Sequence, residues 1–321
     1  MSVILETQNL KTYFNTPRGR LHAVDDVSIA IEHGETLGVV GESGCGKSTL
    51  GRTIIHLTEP TDGRIFFDGR DITRVSKKEC KELRRDIQMI FQDPYASLDP
   101  RMSVTELIEE PLRIYRVCEN KEERQKQVFE LMDTVGIARR FANSYPHELD
   151  GGRRQRIGIA RALSLKPRFI VCDEPVSALD VSIQAQVLNL LQDLQKEKGL
   201  TYMFITHDLS VVKHISNNIC VMYMGTVVEK SEAKELFRNP KHPYTRALLS
   251  AIPRPVVDRE HKRFVIKGEV SSPIEPRPGC RFAPRCEYAT ERCRCESPAL
   301  IADEAGHACA CFAVNDADSQ A

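Results

Sequence analysis

Gly41-Glu42-Ser43-Gly44-Cys45-Gly46-Lys47-Ser48 fits the phosphate-loop pattern G-x-x-x-x-G-K-[ST]. Gly41, Gly44 and Gly46 let the backbone fold tightly enough to aim several N–H groups at phosphate oxygens. Lys47 adds positive charge at the outer phosphates, and the Ser48 hydroxyl can ligate Mg²⁺. Thr36 to Val40 before the loop reads as a buried strand. Ser48 to Leu57 after it reads as a helix whose N-terminal dipole faces the anion. A glycine-rich turn without chemistry is the bland alternative, and it leaves the strand before and the helix after unexplained. The stretch implies nucleotide binding.

Composition narrows the rest. The chain has 321 residues, enough for about two domains. Lys+Arg and Asp+Glu are both 45, so the net charge is zero and no basic excess argues for nucleic acid as a partner. No apolar run approaches the roughly 20 residues of a membrane-spanning helix. The N-terminus lacks a signal-peptide pattern. A cytosolic chain is expected, with any membrane role exercised through partners. Of the eleven cysteines, Cys45, Cys80, Cys118, Cys172 and Cys220 are scattered, whereas six fall between Cys280 and Cys311. The scattered five read as small buried or incidental thiols.

Residues 1–35 read as β-structure, with strands at Val3 to Glu6 and Ala23 to Ile31 and a turn-rich insert from Asn15 to Arg20. Tyr13-Phe14 either stacks on adenine or is an ordinary pair of strand aromatics. Short strands follow at Arg64 to Phe67 and at Ile87 to Phe91, the latter ending at Gln92. Ser103 and Glu106 have capping-box spacing, and a helical stretch opens there; Val128, Leu131, Met132 and Val135 keep helical spacing up to Gly136. Asp150-Gly151-Gly152-Arg153 then opens a helix to Leu163, where a Gly-Gly pair exposes backbone N–H groups as a second anion-binding surface.

Phe169 to Cys172 is an apolar strand that ends in Asp173-Glu174. Two acids at the tip of a buried strand suit a phosphate-loop enzyme. Asp173 is expected to hold Mg²⁺ through water, and Glu174 to orient and deprotonate an attacking water. A solvated acidic loop is the alternative. The strand Tyr202 to Ile205 ends at Thr206-His207-Asp208, so His207 either hydrogen-bonds the γ-phosphate or is structural.

Taken in order, these motifs resemble the nucleotide-binding subunits of ABC transporters over about residues 3–250. Gly41–Ser48 matches Walker A, with Thr49 next to it, and Phe169–Asp173 matches Walker B. Glu174 matches the catalytic carboxylate and Gln92 the Q-loop, which also reaches the Mg²⁺. Ser177-Ala178-Leu179-Asp180 matches the D-loop and His207 the switch histidine. Phe14 aligns best with the adenine-stacking position, with Tyr13 as the other choice. Gln92–Pro100 and His242–Leu249 are similar to segments of the dipeptide/oligopeptide permease type, and related nickel or glutathione importers carry similar subunits.

The resemblance implies an α/β fold of the ABC type: a RecA-like core with a parallel sheet, an antiparallel β subdomain, and a helical subdomain at about 103–163. The cassette would occupy 1–250 and a small Cys-rich extension 251–321. It further implies an ATPase on the cytoplasmic face of the membrane, peripheral to it, that binds ATP and Mg²⁺. The partners it implies are a second ATPase subunit, two permease subunits and an extracytoplasmic solute-binding protein. Closure of two ATPase subunits around ATP would drive the permeases. Competing readings are a soluble ABC-type ATPase acting on DNA or ribosomes, and a purely regulatory nucleotide-binding partner.

Two features depart from or extend the pattern. The family signature Leu-Ser-Gly-Gly-Gln is here Leu149-Asp150-Gly151-Gly152-Arg153. An ionised Asp150 puts like charge near a phosphate, unless Arg153 pairs with it or with the phosphate; a tolerated variant is the alternative. A heterodimer with unequal sites is the expectation. In the tail, prolines at 253, 255, 273, 276, 278 and 284 accompany Cys280, Cys286, Cys293 and Cys311, spaced more widely than in zinc knuckles. Soft thiolates suit an iron–sulfur cluster or zinc. The resemblance implies a [4Fe–4S] cluster on these four, with Zn²⁺ as the alternative ion, unligated thiols as a third possibility, and Cys295 and Cys309 as substitutes or bystanders.

Overall fold

The computed structural model describes residues 2–252, 268 and 272–318, so Pro253 and Pro255 of the proline-rich stretch lie outside the described residues. Its strands in chain order are β1 (Val3–Thr16), β2 (Gly19–Glu32), β3 (Thr36–Val40), β4 (Asp62–Phe67), β5 (Arg70–Asp71), β6 (Ile87–Ile90), β7 (Phe169–Asp173), β8 (Thr201–Thr206), β9 (Asn218–Tyr223), β10 (Thr226–Glu232), β11 (Ile301–Ala302) and β12 (Ala308–Cys309). Contacts divide the chain into two compact units. One comprises residues 1–2, 32–35 and 74–203, and the other 3–31, 36–73 and 204–321. The expected division at 250/251 is not one of these boundaries.

The larger unit holds the antiparallel sheet β2-β1-β4-β5. The strands β1 and β2 are far longer than the two short runs expected, and the insert tightens to a turn at Pro17-Arg18. Alternation along the end of β2 buries Val27, Ile29 and Ile31 and leaves Ser28 and Ala30 outside, while Val24 is buried beyond an irregularity at Asp26. The same unit carries the strand run β11-β12-β10-β9-β3. Strand β3 runs parallel to β9, whereas β9/β10, β10/β12 and β12/β11 are antiparallel. All five residues of β3 are buried, as a continuous apolar run in a two-sided sheet requires. Helix Leu209–Ile215 packs on β3 so closely that a Cβ at Gly38 would meet Ser216 Oγ at 2.5 Å.

In the smaller unit β7 runs parallel to β6. Its helices include Val104–Ile114, Lys121–Thr134 and Gly151–Leu163, within the stretch read as a helical subdomain. The capping box at Ser103 forms: its N–H donates to Glu106 Oε2 at 2.7 Å and its Oγ accepts the Glu106 N–H at 3.4 Å. Gly136 and Gly199 end helices Lys121–Thr134 and Val181–Lys198 with φ of 70° and 65°. Helix Lys77–Asp86 has no counterpart in the sequence reading, although Ser76 and Glu79 carry the same capping-box spacing. Its sparse apolar content, with only Leu83 buried, hides the helical period.

The extension is woven into the larger unit. Strand β12 pairs with β10 through Glu229 opposite Cys309 and Lys230 opposite Ala308. Residues 273–275 run beside β2, where His22 N–H donates to Pro273 O and Glu275 N–H to Arg20 O. Phe282 packs edge-on against Tyr223 and is tilted against Tyr244, with centroids 5.3 and 5.5 Å apart. The Glu229 carboxylate, fully buried, accepts N–H groups from Lys241 at 2.7 Å and His242 at 3.0 Å and lies 2.6 Å from His307 Nε2. Burial alone would raise this carboxyl above its ordinary value of 4.5. Hydrogen bonds from His307, Thr245 and the two backbone amides outweigh that and hold it lower.

Because the folded carboxyl is depressed, its stabilisation is fully present above about pH 4.5 and fades as pH falls through the folded value. Replacing Glu229 with Gln removes one partner of a buried charged network, which typically costs about 3 kcal/mol. Urea titrations should show that loss at pH 7 and a shallower acid dependence below pH 4.5 than in the unaltered chain. Equal midpoints at pH 7 would reject the network's role.

Candidate functional site

In the larger unit the phosphate loop joins β3 to helix Lys47–Ile54. Steric conditions fix its glycines. Gly41 has φ of 154° and Gly46 of 101°, and a Cβ there would lie 2.2 Å from Met222 O and 1.9 Å from Ala23 O. No side chain fits at either position. The Lys47 side chain turns back into the loop, where Nζ donates to Gly41 O at 2.8 Å and Glu42 O at 2.9 Å and lies 3.7 Å from Cys45 Sγ. Lys47 is only 4 % exposed. Ser43 and Gly44 are exposed, while Gly46, Ser48 and Thr49 are half-buried at the start of the helix. Burial raises the Cys45 thiol pKa, opposed in part by the Lys47 charge, so Cys45 serves as a small buried filler.

The aromatic pair divides on the pleat of β1. Tyr13 stacks on His22 with centroids 4.0 Å apart, donates its hydroxyl to Asp25, and carries Arg20 4.6 Å above its ring. Phe14 points the other way and is 39 % exposed, leaving its ring open for stacking. Asp25 also receives His22 and Arg281. Burial would raise its carboxyl, but the hydrogen bonds from Tyr13 and His22 and the Arg281 charge hold it below the usual range. His207, just past β8, is exposed, and Asp208 beside it caps helix Leu209–Ile215 through the Ser210 N–H.

In the smaller unit Asp173 is completely buried at the end of β7, and Glu174 follows with φ of 46°. A non-glycine residue in the left-handed region stores strain, a feature that gathers at functional positions. The turn is held by Ser177, whose Oγ and N–H both donate to Glu174 O, at 3.1 and 3.3 Å. Gln92 Nε2 donates to Glu174 Oε2 at 2.9 Å, which joins two residues singled out 82 positions apart. Asp180 is exposed at the start of helix Val181–Lys198.

The altered signature forms a self-contained cap. Asp150 accepts the Arg153 N–H at 2.8 Å and pairs with Arg153 Nη1 at 2.5 Å. Arg153 also lies over Phe141, 4.7 Å from its centroid. Gly152 is required by Ile183, whose Cγ2 would stand 2.5 Å from a Cβ, and Gly151 lies as close to Leu179 as a Cβ contact of 3.2 Å.

Cys280, Cys286, Cys293 and Cys311 line one cavity of about 110 Å³, together with His242 and Phe282. Cys295 is exposed and Cys309 is buried in β12; neither lines it. Among the described residues no group of three His, Cys, Asp or Glu converges closely enough to hold a single metal ion. Burial pushes the Cys280 thiol up to about 11, with Cys293 and Cys311 adding to the shift. Two arginines next to these cysteines, Arg281 and Arg285, were not singled out in the sequence. Arg281 donates to Met224 O and Asp25, and Arg285 forks onto Glu42 of the phosphate loop at 2.8 and 3.2 Å. Their only sequence signal is adjacency to Cys280 and Cys286.

The family described as ABC transporter matches residues 24–177, and the one described as oligopeptide/dipeptide transporter, C-terminal region, matches residues 228–293. The chain is 60% identical over 261 residues to the oligopeptide transport ATP-binding protein OppF of Bacillus subtilis (strain 168), covering 81% of this chain and 86% of that one. It is 49% identical over 319 residues to the dipeptide transport ATP-binding protein DppF of Haemophilus influenzae, covering 97% of each. Among solved structures, a dimeric ATP-binding cassette in a post-hydrolysis state bound to ADP and Pi superposes with a TM-score of 0.67 at 32% identity, over 72% of this chain and 99% of that one. With a phosphate loop closed around Lys47, a strained Glu174 held by Gln92, and relatives matching nearly its whole length, the chain belongs to the ABC transporter family of ATP-binding proteins.

Proposed function

We propose that this ATPase powers import of dipeptides or oligopeptides, working at the cytoplasmic face of a membrane against two permease subunits fed by a solute-binding protein. The relatives named for oligopeptide and dipeptide transport support the solute class. The matched C-terminal region supports the same group. Among the described residues no helix is long and apolar enough to cross a membrane, so the permease function would belong to other chains.

The observation that carries the catalytic reading is the Gln92–Glu174 hydrogen bond. It fixes the direction of the Glu174 carboxylate at the turn that follows β7, and a carboxylate so held can take a proton from water. In this reading Glu174 orients and deprotonates the water that attacks the γ-phosphate. Lys47, freed from the Gly41 and Glu42 carbonyls, takes the developing charge with His207, and Phe14 stacks on adenine. Ser48, Gln92 and Asp173 offer hydroxyl, amide and carboxylate oxygens, the hard donors that suit Mg²⁺. The ion neutralises phosphate charge when bound.

A second ATPase subunit completes the working pair, and unequal sites follow from the signature. Asp150 and Arg153 spend their charges on each other, so neither is left to serve as the serine and glutamine of the usual signature do. The chain's own ATP would then rely on the partner's signature, through Gly41–Ser48, Glu174 and Asp180 of this one. A regulatory rather than hydrolytic role is the other reading this pair favours.

For the cysteine cavity we favour a [4Fe–4S] cluster over Zn²⁺. Soft thiolates suit either, but the four cysteines are spaced more widely in the sequence than zinc-knuckle ligands, and they line one cavity together. Cys280, Cys286, Cys293 and Cys311 would be the ligands. Their soft donors suit iron, and binding would have to displace the Cys280 proton.

Glu174→Gln should retain ATP binding and cut phosphate release by at least about 100-fold, the usual contribution of a general base; undiminished release would assign the base elsewhere. The purified chain alone should hydrolyse ATP slowly, and Asp150→Ser combined with Arg153→Gln should raise its rate. Fast hydrolysis by the unaltered homodimer would remove the unequal-site reading.

A further inference from the structure

Glu42, the second residue of the phosphate loop, is held from three sides. Its carbonyl accepts Lys47 Nζ at 2.9 Å, and its N–H donates to Tyr244 Oη at 2.9 Å. Its carboxylate receives Arg285 Nη1 at 2.8 Å and Nη2 at 3.2 Å, the two-pronged geometry in which guanidinium binds carboxylate best. Only the first of these partners lies in the loop itself; Tyr244 and Arg285 come from the C-terminal region.

The Arg285 side chain is 8 % exposed and the Glu42 side chain 27 %, so the pair is sheltered from the screening that makes surface ion pairs weak. The position of Arg285 is also determined. It ends the 3₁₀ turn Ala283–Arg285, with its N–H donating to Phe282 O at 2.9 Å, and Phe282 is anchored in the Tyr223–Tyr244 aromatic cluster. Tyr223 Oη lies 3.4 Å from Arg285 Nη1.

We propose that Arg285 is a positioning residue for the nucleotide site, acting through Glu42. Its guanidinium neutralises a carboxylate that sits inside a loop built to receive a polyanion, and it fixes the entry of that loop in its binding form. Without Arg285 the Glu42 charge would stand unpaired in the loop that receives the phosphates, and like charges repel more strongly in a partly buried site than in water. The fork also removes the ordering cost that a loose loop would incur on binding. The proposal rests on the reading that Gly41–Ser48 binds the phosphates of ATP. It gives the C-terminal region a part in the nucleotide site itself. Because Arg285 immediately precedes Cys286, a lining residue of the thiol cavity, the turn that carries the guanidinium is shared with that cavity.

The test is nucleotide affinity of the full chain, read with a fluorescent ATP analogue and Mg²⁺, alongside thermal melts without nucleotide. Arg285→Gln should weaken binding about tenfold, the scale of a charged hydrogen bond. Adding Glu42→Gln to it should restore affinity to within about threefold, because the unpaired charge is then gone. Arg285→Lys, which keeps the charge and loses the fork, should fall between. Unaltered affinity in Arg285→Gln would overturn the proposal. So would a double variant that binds as weakly as Arg285→Gln, since the loss would then be general disruption. A wild-type chain that binds no nucleotide would instead overturn the ATP-site reading beneath it.

Discussion

A lysine ammonium almost withdrawn from water is the constraint on which the nucleotide site depends. Burying a cation is costly unless a compensating charge or hydrogen bonds meet it. Lys47 donates hydrogen bonds to the carbonyls of Gly41 and Glu42, but carbonyls carry no net charge to offset its own. In the proposed nucleotide site a bound phosphate would supply that charge. The glycines at 41 and 46 are there because the loop must wrap this close, with the backbones of Met222 and Ala23 occupying the space a side chain would need. The parallel pairing of β3 with β9 and the hydrogen bond from Gly225 N–H to Cys45 O hold the loop's two ends.

Much of this was legible in the sequence because the chemistry demands particular residues at fixed spacing. The strand and helix that flank Gly41–Ser48, the strand that ends at Asp173 and the capping box at Ser103 depend on local rules, and these local elements form at those residues. Long-range consequences were less legible. The meeting of Gln92 with Glu174 joins residues from two strand ends, and no periodicity encodes it. The helix Lys77–Asp86 lacked an apolar stripe to announce it, and the long strands β1 and β2 swallowed residues that looked like an insert. Composition marked the tail as different from the cassette. Its strand pairing and its arginine contacts depend on the folded sheet, so spacing alone could not show them.

The signature illustrates how local physics settles an ambiguity. An aspartate before a Gly-Gly helix start is as good an N-cap as serine, since its carboxylate accepts an early backbone N–H and favours the positive end of the helix. Asp150 does this, and Arg153 cancels its charge one turn along. The substitution therefore keeps the helix start intact while changing what it presents.

The pairing of β12 with β10 carries a practical consequence for anyone trimming this chain to its cassette. Strand β10 bonds to β9 on one side and to β12 on the other, and Ala310 N–H continues the ladder onto Val228 O. Ending the polypeptide at residue 250 would strip that second side, leaving a bare row of amides and carbonyls on a strand seven residues long. Such an edge is a template for pairing with another molecule. As built, the sheet finishes instead on β11, two residues long and too short to recruit a neighbour. The C-terminal region thus covers an edge that would otherwise be open to pairing.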